Sequence, residues 1–90
     1  MDFEWDPHKV EINLRKHGVS FTEAGTVFGD DFAVAVPDHS KTEDRYITVG
    51  WSKRGRLLIV SHTDRRDERI RIISARELTR SEQKAYEEIN

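Results

Sequence analysis

The stretch HTDRRDERIRIISAR, residues His62–Arg76, holds one histidine and five arginines in fifteen positions. Arginine grips phosphate through a planar fork and stays charged at every relevant pH, while histidine exchanges a proton near neutrality. This density of both types suits phosphate chemistry, with Arg65, Arg71 and Arg76 as anion contacts and His62 as a proton carrier. A single arginine here would more simply be a surface charge paired with Asp64, Asp67 or Glu68, since exposed ion pairs are common and weak. The cluster tips the balance towards phosphate. For His62, a merely hydrogen-bonded place at a strand end competes evenly with a chemical role.

Such groups need elements to hold them. FEWD (Phe3–Asp6) alternates apolar and acidic residues and reads as a short strand or extended arm. Asp6 can cap the helix that Pro7 opens, and Gly18 stops it after His17, with Val10, Leu14 and His17 on one face. Ser20-Phe21-Thr22-Glu23 is a capping box for a second helix to about Phe28, with Phe21, Ala24 and Phe28 facing inward. Four strands are expected next: FAVAV (Phe32–Val36), RYITVGW (Arg45–Trp51), the apolar and therefore central RLLIVSHT (Arg56–Thr63), and RIRIISA (Arg69–Ala75). SKRG (Ser52–Gly55) and DRRDE (Asp64–Glu68) are the turns between the last three. Thr79-Arg80-Ser81-Glu82 is a further capping box that opens a helix running to the C-terminus. The expected order is βααββββα: an α+β fold, an antiparallel meander with helices mainly on one face and arginines on the other.

At 90 residues the chain reads as a single domain, 1–90. It is 36% charged and 36% hydrophobic, yet its apolar residues cluster periodically, which argues for a folded domain rather than a disordered one. Without cysteine there is no disulfide framework or thiolate metal site. No apolar run approaches the ~20 residues of a membrane span, and the start lacks the pattern of a signal peptide. The expected setting is soluble and cytoplasmic, with no membrane partner. The histidines and carboxylates show no ligand spacing and no phosphate-loop glycines occur, so neither metal nor cofactor is expected. The net charge of −2 hides a split: residues 1–44 balance to −6, residues 45–90 to +4, and residues 45–76 alone to +6. A locally basic half in an acidic protein points to an anion site rather than general adhesion to nucleic acid.

Three segments, FEWDPHKVEINLRKHGVSFTEA, GRLLIVSHTDR and RIRIISARELTRSE, resemble the BrnT toxins of type II toxin–antitoxin modules, from Phe3 to about Tyr86. The resemblance implies a RelE-like fold and a ribonuclease, neutralised by a small DNA-binding antitoxin, BrnA. It implies two toxin chains on an antitoxin dimer, a 2:2 assembly that meets operator DNA only through the antitoxin. For RNA cleavage without metal, His62 is then the candidate base, and Arg65, Arg71 and Arg76 are the donors for the transition state. Lys16 becomes a candidate RNA contact, although closing a helix beside Gly18 explains it equally well. Trp51, at a strand end beside a basic turn, can stack on a base, with Lys53 and Arg54 beside it. Alone, those two would be general surface charge, and Trp5 is more simply core. A second reading keeps the fold and the basic face but makes the chain a non-catalytic module that binds RNA or protein.

Overall fold

A computed structural model describes residues 2–40, 44–63 and 69–89. The elements are β1 (Asp2–Glu4), α1 (Pro7–His17), α2 (Phe21–Thr26), β2 (Val34–Pro37), β3 (Arg45–Trp51), β4 (Leu57–Thr63), β5 (Arg69–Glu77) and α3 (Arg80–Ile89). The expected order is present, with a 3-10 turn at Val27–Gly29 closing what the sequence reads as the end of the second helix. The first strand of the meander starts later than FAVAV suggests, because Asp30 bends the chain by accepting from the Phe32 N–H, and Phe32 stays exposed.

Local chemistry sets the ends of α1 and α2. Asp6 accepts from the His8 N–H at 2.9 Å ahead of Pro7, and Gly18 takes the left-handed conformation (φ 69°) that ends α1. Ser20 then accepts from the Glu23 N–H at 3.0 Å to start α2. The Glu23 side chain does not turn back to complete the box. It runs into the protein, where Arg56 grips it through two nitrogens and Ser52 donates to it at 2.7 Å. This network ties the β3–β4 hairpin to the α1–α2 corner, and Arg56 also donates to the Gly18 carbonyl at 3.0 Å.

The sheet order is β1-β5-β4-β3-β2, with β4 in the middle as its apolar run requires. β2 to β5 form the antiparallel meander. β1 adds a short parallel edge, so the sheet is mixed: Phe3 pairs with Ile70 and Glu4 with Arg71. Within β5 there is an irregularity. Ser61 pairs with Ser74 but His62 with Ile72, so Ile73 is an extra residue in the ladder.

One sheet face carries α1 and α2. Val19, Phe21, Ala24 and Val27 pack there against Leu58, Val60, Ile72 and Ala75, all fully buried. Each of the larger side chains contributes about 1.5–3 kcal/mol by leaving water. Two expectations are corrected. Leu14 does not face inward but is 51% exposed, and Asn13 is the buried residue of α1. The helices also do not leave the second face to water alone, because α3 crosses it, with Ala85, Tyr86 and Ile89 beside Val34, Val49 and Ile59. A complete capping box starts that helix: Thr79 Oγ1 accepts from the Glu82 N–H and Glu82 from the Thr79 N–H. Among the described residues, no helix is long and apolar enough to cross a membrane.

Candidate nucleic-acid interface

Strand register assigns the chemical groups to faces. Side chains alternate along a strand, and paired residues share a face. Since Leu58, Val60 and Ile72 are core, His62 is on the core side, while Thr63, its neighbour on β4, points outward. Glu4, Arg69, Arg71 and Arg76 are on the outer side with Thr63 and Arg45.

His62 is 5% exposed. Its ring stands edge-on to Phe28 at 4.8 Å and stacks on Tyr46 at 6.2 Å. Nδ1 lies 3.1 Å from the Thr63 carbonyl, which only accepts, so this pairing puts the proton on Nδ1. Nε2 can then accept from the Thr48 hydroxyl, 2.7 Å away. The fold therefore does not bring His62 to the surface that carries Arg71 and Arg76. Arg65 lies outside the described residues.

Arg71 stands beside Glu4 in register and makes no ion pair among the described residues. Arg76 differs: it forms a two-pronged pair with Glu82 at the start of α3, at 2.8 and 3.0 Å. Hydrogen bonding from Arg76, helped by the Thr79 N–H, holds the Glu82 carboxyl down at about 2, against an ordinary 4.5. The same contact raises the Arg76 guanidinium above its usual range. Arg76 thus fastens α3 to the sheet, and any contact with phosphate competes with Glu82.

The remaining candidates lie elsewhere. Trp51 (45% exposed), Lys53 and Arg54 occupy the β3–β4 hairpin. Trp51 is six residues along β3 from Arg45, which at ~3.3 Å per residue is about 20 Å. Lys16 is exposed in the last turn of α1. None of them pairs with Arg71 in the sheet. Lys53 instead overhangs a separate cleft between α2 and β1, of about 410 Å³, lined by Phe3, Trp5, Phe21 and Phe28.

Sequence reasoning passed over Arg45 and Thr63. Arg45 occupies the outer-face parity of Ile47 and Val49, and Thr63 pairs with it. A charged residue in phase with a strand's apolar positions was the available signal. In a strand opened by arginine it reads as mere edge polarity.

A model of the family described as the ribonuclease toxin, BrnT, of type II toxin–antitoxin systems matches residues 5–82. Among solved structures, the crystal structure of the Brucella abortus ribonuclease toxin BrnT is similar with a TM-score of 0.71 and 23% identity. The match covers 89% of this chain and 99% of that one. At that identity the likeness speaks for the fold, and the β1–α1–α2–meander–α3 order is the fold it speaks for. A comparison with curated proteins finds no match. On the strength of a sequence match that spans both helices, the meander and the start of α3, the chain belongs to the BrnT family of ribonuclease toxins of type II toxin–antitoxin systems.

Proposed function

We propose that the chain is a metal-independent endoribonuclease that cuts RNA by attack of the 2′-OH on the adjacent phosphate, and so inhibits translation and growth. The observation that carries this reading is Arg71. Its guanidinium stands on the outer sheet face, engaged in no ion pair among the described residues, on a strand held from both sides. A permanently charged donor on a backbone fixed in this way suits a phosphorane transition state. Arg65 is a second contact by its position in the sequence, and Arg76 a third if it gives up Glu82. Lys16, Trp51, Lys53 and Arg54 serve RNA that extends past the hairpin, not the scissile phosphate. The placement of His62 supports a positioning role: through the Thr63 carbonyl its ring steadies the strand end at which Thr63 points outward.

The partners follow from the family, whose type II systems pair toxin with antitoxin. We assign this role to a BrnA-like DNA-binding antitoxin that holds two toxin chains on its dimer and alone touches operator DNA. The site of action is the cytoplasm, where the RNA is. The test is digestion of RNA in EDTA followed by end-group analysis, with 2′,3′-cyclic phosphate ends as the expected product. RNA left intact but tightly bound would select the second reading, a non-catalytic binding module. The burial of the candidate base His62 is the observation in that reading's favour.

A further inference from the structure

One row of side chains crosses the outer face at the end of the sheet away from the hairpin. Arg45 on β3 pairs with Thr63 on β4. The pairing of His62 with Ile72 sets Thr63 beside Arg71 on β5, and Arg71 pairs with Glu4 on β1. With strands ~4.8 Å apart, the two arginines flank Thr63 across about 10 Å. That is the spacing between strand backbones, and side chains as long as arginine's can close it from both sides onto one phosphate above Thr63.

The second observation concerns satisfaction. Arg45 Nε and Thr63 Oγ1 are both buried with no hydrogen-bond partner among the described residues, and they belong to the same register pair. Buried polar atoms without partners are rare because their desolvation goes uncompensated, and where they persist they mark strain or a missing ligand. Two such atoms side by side, next to a guanidinium that has no ion pair among the described residues, form a group suited to a ligand that the described residues do not supply. Two permanent cations and a neutral hydroxyl favour a tetrahedral anion. The carboxylate of Glu4 bounds the row on the β1 side and confines the anion to the β3–β5 portion.

We infer that Arg45, Thr63 and Arg71 together form the seat of an RNA phosphate, with Arg45 and Thr63 completing the contact that Arg71 begins. This rests on the ribonuclease reading. When RNA enters, the Arg45 guanidinium turns towards the phosphate and the Thr63 hydroxyl donates to a non-bridging oxygen, which gives both orphan atoms a partner.

The experiment uses the full chain, a 2′-O-methyl RNA oligonucleotide that cannot be cleaved, and fluorescence anisotropy at several salt concentrations. Thermal melts without RNA run alongside. Thr63→Val keeps the β-branched shape and removes the orphan hydroxyl, so its free protein should melt about 4 °C higher. Its RNA affinity should fall about fivefold. A merely structural hydroxyl would move both quantities in the same direction or leave affinity alone. Arg45→Gln should weaken binding about tenfold and flatten the plot of log K against log salt by about 0.7, the loss of one phosphate contact to single-stranded RNA. Should Arg45→Gln fail to fold, the opposed signs of Thr63→Val still decide. Wild-type affinity and salt slope in both variants, with wild-type RNA cutting intact, overturn the seat and leave the ribonuclease standing. Variants that lose antitoxin binding but keep RNA binding overturn it in favour of an acidic protein segment. Wild-type protein that neither binds nor cuts RNA removes the ribonuclease reading, and the seat with it.

Discussion

The carboxamide of Asn13 donates to the carbonyls of Ala75 and Val19, at 2.8 and 2.9 Å, and accepts from the Ala75 N–H at 3.1 Å. β1 pairs with β5 only from Arg69 to Arg71, so beyond that point the edge of β5 would carry bare amides against α1. One side chain replaces a strand there. Asn13→Leu should therefore be worse than a change of polarity suggests. It strands three backbone groups in the interior, at roughly 1 kcal/mol or more each, so urea unfolding should show a loss of about 3 kcal/mol. A loss under 1 kcal/mol would mean that water takes over the amides. This residue also shows where the sequence was opaque. Helical periodicity put Leu14 inside and passed over Asn13, because periodicity sees apolar spacing and cannot see that the surface under the helix is an unpaired strand edge. Arg71 and Arg76 look alike in the sequence and part company in the structure. Arg71→Ala should fold normally and lose RNA cutting by about 10²–10³-fold, the worth of a transition-state donor. Arg76→Ala should also lower the melting temperature, since it releases Glu82. Equal melting temperatures for the two variants would contradict this division.

At the scale of elements, the strands and helix caps were legible because each has a local cause: Asp6-Pro7, Gly18, Ser20, Gly55 and Thr79 act within a few residues of themselves. The faces were not. That α3 crosses the outer face depends on Val34, Val49 and Ile59 sharing it, and Arg45 and Thr63 become one site only through strand pairing. The hold on α3 has a pH signature. The folded Glu82 carboxyl titrates at about 2, below its ordinary 4.5, so it stabilises the fold above the unfolded value. That contribution is lost progressively as pH falls from about 4.5 to 2. The buried Glu23, depressed chiefly by its hydrogen bond from Arg56 and against the effect of burial, fades in the same direction. Glu82→Gln should flatten part of the acid arm of the stability curve, followed by urea midpoints between pH 2 and 6. An acid arm of unchanged slope would show that the pair exerts no such hold.

For the whole molecule, the charge split gives a direction of approach. The basic residues 45–76 and the acidic residues 1–44 fold together, yet Arg45 and Arg71 come out on the same outer face. A partner that silences the toxin by covering that face must bring negative or apolar groups to it. Arg71→Glu should then weaken antitoxin binding, by a factor that shrinks as salt rises from 50 to about 300 mM. If titration calorimetry gives an unchanged affinity at every salt concentration, the antitoxin docks elsewhere, with α1 and α3 as the remaining surfaces, and silences the toxin by geometry.

The extra residue in β5 has a consequence for how this protein tolerates change. Arg71 and Arg76 are five apart, an odd number, so in an unbroken strand they would point in opposite directions. They face the same way because Ile73 shifts the phase between them. The strand is two half-strands written in different frames, spliced at one isoleucine. Point substitutions at Ile73 leave that splice in place, whereas loss of a single codon there would force one arginine through the sheet into the apolar core. The face that carries the arginines is thus more sensitive to the length of β5 than to most of its letters.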